Sequence, residues 1–174
     1  MPADSKTRYG TISRVLHWLM AVLIGWQMFK FFDLIDDGEH WVGKTLVAPW
    51  HVSIGMVLLV LVVLRVVWAA TQRRNRPVQD PATATLVKLG HGLMYLAMLL
   101  VPITGMLAVK GGGHPVVLFG VQLAPKGEEV AWMQTVGALH APIVLALALM
   151  VLAHVVIALE HRFLKKDDVM QRML

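Results

Sequence analysis

Eight histidines occur in 174 residues, and five of them (His17, His51, His91, His140 and His154) fall inside hydrophobic stretches. A neutral imidazole in hydrocarbon loses its bonds to water, at on the order of several kcal/mol for each polar group left without a partner. Metal ligation gives the ring nitrogen a partner again. His140 and His154 are fourteen residues apart. On a helix that spacing turns through about 1400°, so the two rings point within roughly 40° of each other and lie about 21 Å apart along the axis. One helix therefore offers one ligand to each of two stacked sites. The chain has no cysteine, which excludes disulfides, thiolate ligation, covalent haem attachment through CxxCH and cysteinyl iron–sulfur clusters. Structural zinc is a weak alternative without cysteine, because a closed site wants four ligands. Bis-histidine haem needs only two imidazoles per site, from facing helices.

The elements that hold these residues are membrane helices. With 57% hydrophobic residues and a mean hydropathy of +0.64, the chain is too apolar for a soluble domain of its length. One transmembrane domain over 1–174 is expected, with spans at about 13–32, 50–70, 87–109 and 130–161, the first three near the ~20 residues that cross the hydrocarbon and the fourth beginning before the lipid. Ser13 is a plausible N-cap for the first span, and Pro49 is well placed to open the second. Pro102, three residues before Gly105, predicts a kink in the third. The first stretch carries a histidine and two tryptophans and lacks a small-residue cleavage site, so it is expected to remain in the mature protein. The fold class is thus all-α, an integral membrane four-helix bundle running up and down.

Orientation follows from charge. The N-terminal tail, the connection after span two and the C-terminal tail hold eleven of the sixteen Lys and Arg residues. The positive-inside rule puts both termini in the cytoplasm. The sequence pI of about 9.8 then records topology; basic residues that flank spans, without aromatic interleaving, do not suit nucleic acid. Alternating span direction sorts the histidines by depth. His51 and His140 lie toward the outside, while His17, His91 and His154 lie toward the cytoplasm. His161 follows about two turns after His154, nearly on its face, at the inner membrane surface. His40 and His114 fall in outer loops and are expected to be ordinary hydrogen-bonded residues. Five tryptophans mostly mark span ends, as an aromatic belt does.

The order of these residues resembles the bacterial cytochrome b561 family, which is related to the b-type anchor subunits of hydrogenases and formate dehydrogenases. The matching residues begin with Arg14-Val15-Leu16-His17-Trp18, His51-Val52-Ser53-x-Gly55 and Val63-Leu64-Arg65. They continue with Leu89-Gly90-His91-Gly92-x-x-Tyr95, Pro102-x-x-Gly105, Leu139-His140, Ala153-His154 and Glu160-His161. The resemblance covers essentially the whole chain. It implies two haem b groups, an inner one on His17 and His154 and an outer one on His51 and His140, with iron as the metal. Spacing alone does not choose between His17 and His91. The resemblance also implies that His91 and His161 line a cytoplasmic-side quinone pocket, where imidazoles can exchange protons with a quinone head. Arg65, deep in span two, is expected to pair with a haem propionate or the quinone pocket, or else to snorkel to the interface.

Two haems at different depths make a wire through a bacterial inner membrane. The first functional expectation is a multi-pass di-haem b oxidoreductase that couples ubiquinone to a redox partner at the outer face, as in the family's superoxide oxidases. No catalytic residue is assigned. The alternative is a membrane anchor or electron-transfer subunit that docks a periplasmic redox protein or a dehydrogenase- or hydrogenase-type complex. The outer loops carry four lysines against six carboxylates, which suits a basic partner better than anionic superoxide. A structural haem store explains neither the two layers nor the third inner histidine.

Overall fold

Apolar composition at helical length produces four crossings. The computed structural model describes residues 1–34, 42–77 and 81–174. Helix α1 spans Thr11–Met28, α2 His51–Thr71 and α3 Ala84–Gly111. The last crossing is made in two pieces, α4 Ala131–Gly137 and α5 His140–Glu160. Four stretches, Thr11–Phe31, Lys44–Thr71, Ala84–Gly111 and Ala131–Lys165, are long and apolar enough to cross a membrane. Their outward faces are hydrophobic: Val22, Val60, Leu149 and Val156 are all more than half exposed. In water such a surface would be costly, whereas lipid tails accept it, because every backbone polar group is satisfied within its own helix.

Neighbours around the bundle run α1 to α2, α2 to α3 and α3 to α5, with α4 also against α3. The connections put both termini and the α2–α3 turn at one end, called here the termini end. The other end carries the longer connections. There, β1 (Val116–Leu118) and β2 (Val121–Ala124) form an antiparallel hairpin, an element the sequence reading treated as plain loop. Its turn residues Phe119 and Gly120 both have positive φ, 51° and 83°, the geometry of a tight two-residue hairpin turn. The Phe119 amide donates to Ser53 Oγ at 3.0 Å, and its ring lies 6.2 Å from that of Trp50. The hairpin is thereby latched to the first turn of α2.

Two expectations about helix boundaries change. Ser13 lies inside α1, whose N-cap is Gly10. Its hydroxyl instead donates to Asp4 Oδ1 at 2.7 Å and accepts the Trp68 indole N–H at 3.0 Å. Asp4 is the residue that takes over at the helix start, accepting the Gly10 amide at 2.8 Å, and its side chain is fully buried 3.8 Å from Arg76. The fourth crossing breaks before His140, where Pro142 has no N–H to donate to the Ala138 carbonyl, and Gly137 just ahead of the break runs against α3. A Cβ on Gly137 would sit 2.6 Å from Ala108 backbone atoms, so only glycine permits this approach.

The two tails meet over the start of α1. The Tyr9 amide donates to the Arg172 carbonyl at 3.1 Å, the Trp18 indole donates to the Met173 carbonyl at 3.1 Å, and Arg14 donates to the Leu174 carbonyl. Lys6 donates to the Arg74 carbonyl just beyond α2. His40 lies outside the described residues. His114 follows α3 in the turn before β1 and is exposed.

Candidate haem sites

Each histidine of α5 faces one or more histidines from another helix. At the hairpin end, the His51 and His140 ring centres are 6.0 Å apart, with planes at 87°. At the termini end, His154 lies 6.2 Å from His17 and 5.7 Å from His91. Bis-histidine ligation of haem would need two imidazoles from facing helices, and the residues of all three pairs could supply them. Among the described residues no three histidine or carboxylate side chains converge as a metal-ion site, which speaks against structural zinc.

The hairpin-end pair is held by α3. His140 Nδ1 donates to the Val101 carbonyl at 2.8 Å, with Thr104 Oγ1 3.5 Å away. A proton on Nδ1 leaves the lone pair on Nε2, the arrangement expected of a metal-ligating histidine whose second nitrogen is anchored to a carbonyl. Gly105 makes the ring position possible. A Cβ there would come within 2.9 Å of His140 Cε1 and 3.0 Å of Nδ1, so any side chain would push the ring off α3. The Thr104 hydroxyl spends its proton on its own helix, at 2.8 Å from Leu100 O and 3.0 Å from Val101 O. On α1, Gln27 donates to the His51 carbonyl at 2.9 Å and ties the start of α2 to α1.

The termini-end cluster contains more groups. Arg65 donates to His17 Nδ1 at 3.0 Å and to the Tyr95 hydroxyl at 3.1 Å, with its guanidinium carbon 5.8 Å from the Tyr95 ring centre. The arginine has found partners inside the bundle and does not snorkel. Guanidinium only donates, so His17 Nδ1 accepts and the neutral ring carries its proton on Nε2. Ligation through His17 Nε2 requires Arg65 to leave Nδ1, which frees the guanidinium for a propionate. His91 differs: its Nδ1 donates to the Val87 carbonyl at 2.7 Å, four residues earlier on the same helix, and its lone pair is on Nε2. Both sets of residues fit axial ligation of haem, the hairpin-end pair as it stands and the termini-end pair after that one exchange of partners.

His161 begins a short π-helical turn, His161–Lys165, that closes the last crossing. Its Nδ1 donates to Asp167 Oδ2 at 2.6 Å. Tyr95, Thr104 and Asp167 were not singled out as site residues from sequence. Tyr95 was visible only as a motif letter four residues after His91, and nothing in the sequence pointed to the other two.

A histidine-bearing four-crossing membrane bundle of this kind is the class of b-type membrane cytochromes. A family model described as prokaryotic cytochrome b561 matches residues 8–174. The chain is 31% identical to cytochrome b561 homolog 2 of Escherichia coli, over 98% of this chain and 93% of that protein. It is 30% identical to cytochrome b562 of Cereibacter sphaeroides, over 95% and 94%. It is 24% identical to the probable superoxide oxidase CybB of Yersinia pestis, over 96% of each. The chain belongs to the prokaryotic cytochrome b561 family, and is a haem b electron-transfer protein of a bacterial membrane.

Proposed function

We propose that the chain carries two b haems, one between His51 and His140 and one between His17 and His154, and conducts electrons through the cytoplasmic membrane between ubiquinone and a redox partner on the other side. The observation that carries this reading is the sharing of α5: it contributes one histidine to each layer, about 21 Å apart along its axis. The arginine- and lysine-rich termini end faces the cytoplasm by the positive-inside rule. Haem, when bound, supplies a one-electron iron couple at each depth. The protein's own groups do the rest. His140 and His91 hold their protons on Nδ1 against carbonyls, Arg65 and Tyr95 supply donors to an anionic group, and His91 and His161 offer imidazoles that exchange protons where quinone chemistry needs them.

Superoxide is the outer electron donor in the first reading, supported by the name of the Yersinia pestis relative. A second reading has an observation of its own: the four lysines and six carboxylates of the outer loops favour a basic periplasmic redox protein over a small anion. Stopped-flow mixing of the purified protein with superoxide and ubiquinone separates the two. Rapid haem reduction followed by quinol formation is expected from the first. Inertness toward superoxide, with rapid exchange with a basic cytochrome at low salt, would overturn it in favour of the second.

A further inference from the structure

Where the last membrane crossing ends, the chain doubles back in a way that costs conformational energy. Lys166 has φ 53° and ψ 35°, the left-handed region that a lysine enters only when its surroundings hold it there. The Lys166 amide bonds back to the His161 carbonyl, and the Asp167 amide does so at 3.3 Å. The result of the turn is to aim one carboxylate at one imidazole. Asp167 Oδ2 sits 2.6 Å from His161 Nδ1, while Oδ1 accepts the Val169 amide at 3.1 Å and fixes the rotamer. The bond to His161 holds the Asp167 carboxyl below its ordinary range, so the carboxylate is charged at neutral pH.

Asp167 also lines an open cavity of about 330 Å³ together with Arg162, Phe163, Lys166 and Gln171. The Asp167 side chain is 36% exposed and that of His161 is 23% exposed. The other charged groups of this turn are engaged or water-facing: Lys165 pairs with Glu160 at 3.2 Å, Arg172 pairs with Asp168 at 2.8 Å, and Arg162 and Lys166 border the cavity. Asp167 is thus the group that contacts His161 on one side and water on the other.

We propose that Asp167 and His161 form a proton-transfer dyad for quinone chemistry at the termini end, Asp167 acting as the positioning residue; this rests on the quinone reading above. With its proton on Nδ1 and bonded to the carboxylate, His161 presents the Nε2 lone pair. When a quinol hydroxyl is oxidised, its O–H bond breaks and the proton goes to Nε2, while the electron goes to the one-electron acceptor that haem, when bound, would supply. Asp167, which faces the cavity, stabilises the imidazolium so formed, which then gives the Nε2 proton up to water. Two rounds remove the two protons and two electrons that separate quinol from quinone. In quinone reduction the same dyad delivers the protons.

The test has a spectroscopic and a kinetic arm. In the dithionite-reduced, diamagnetic protein with ¹⁵N-histidine, the His161 ring signals, assigned by their loss in His161→Ala, are expected to show the Nδ1–H tautomer. Asp167→Ala is expected to shift them toward Nε2–H, with Asp167→Glu in between. Haem reduction by a ubiquinol is expected to slow at least about tenfold in Asp167→Ala, with partial recovery in Asp167→Glu and unchanged haem content. An unchanged tautomer, or an altered tautomer with an unchanged rate, would overturn the dyad. If His161→Ala slows the reaction and Asp167→Ala does not, the dyad alone fails. If His161→Ala with both haems present has no effect, quinone does not react at this end and the reading beneath the dyad fails with it.

Discussion

The two ends of the bundle hold the same kind of residue in different company. At the hairpin end two histidines face each other, His140 is braced by a backbone carbonyl, and α3 lies so close that only Gly105 fits beside the ring. At the termini end His154 has two histidine neighbours, His17 and His91, with a guanidinium and a phenol beside His17 and the His161–Asp167 pair two helical turns further on. A site that only passes electrons needs rigid ligands and little else. A site that must also balance protons needs titratable groups and donors that can change partners. On the function proposed above, the difference in furnishing would divide the labour: electron exchange alone at the hairpin end, electrons with protons at the termini end.

The largest expected effects come from removing ligands. Wild-type protein is expected to bind two low-spin haems per chain, both extractable with acid acetone because no covalent link is possible. His51→Ala and His140→Ala should each lose the same spectral component and leave the other. His154→Ala and His17→Ala should behave as the second pair, while His91→Ala keeps both haems and slows exchange with quinol. Loss of a haem in His91→Ala, with retention in His17→Ala, would redraw the termini-end pair.

Next in size is Gly105→Ala. The added methyl meets the His140 ring at under 3 Å, and disturbing a group that orients a ligand typically costs 10–100-fold in metal affinity. Haem titration of the stripped protein should therefore show about tenfold or more weaker binding at the hairpin end alone. Equal weakening at both ends would show that the two layers are not independently built.

Tyr95→Phe should be milder. It removes one partner of Arg65 and, for a hydrogen bond to a charged group, about 1.5–3 kcal/mol of local stabilisation. Quinol-driven haem reduction is expected to slow by several-fold, with the hairpin-end spectrum unchanged. Asp4→Ala leaves the Ser13 hydroxyl and the Gly10 amide without their acceptor and should lower the melting temperature in detergent, at about 1–3 kcal/mol, without altering either haem spectrum. The smallest effect concerns pH. Asp167 and Asp168 are both held below the ordinary aspartate value of 3.8, by the hydrogen bonds from His161 and from Arg172. Their contribution to tail docking is present above 3.8 and is lost as pH falls through the lowered folded values. Amide exchange of residues 167–174, corrected for intrinsic rate, should be flat from pH 7 to 5 and accelerate only below 3.8. Earlier acceleration would mean that other groups hold the tail.

The histidine layers were legible because residue type and helical period suffice to predict depth: a polar ring in an apolar run needs a partner, and alternating spans order the rings. Which ring faces His154 was not legible, because His17 and His91 have the same depth and only their helices' packing distinguishes them. The structure brings both near, and the distinction that emerges lies in their protons, His17 accepting from Arg65 and His91 donating to Val87. The hairpin escaped notice because a short β-branched run beside a Phe-Gly turn is a weak signal within an all-helical chain. The start of α1 differs from expectation because Ser13 has the right side chain for a cap but lies inside the helix, where its hydroxyl goes to Asp4, nine residues earlier, and the N-cap Gly10 has no side-chain cap bond. Asp167 could not be seen at all, since it reaches His161 through a left-handed turn at a lysine, where sequence rules expect glycine or asparagine.

The sharing of α5 also imposes a schedule on the making of this protein. With the pairs proposed above, the partners of each haem would lie half the chain or more apart, His17 from His154 and His51 from His140. At synthesis rates of about 5–20 residues per second, α1 and α2 stand in the membrane for several seconds before α5 arrives. Neither site can close earlier, and both then close together. On that assignment, a ribosome-stalled chain that stops before residue 140 would carry half of each site and is expected to hold haem at neither.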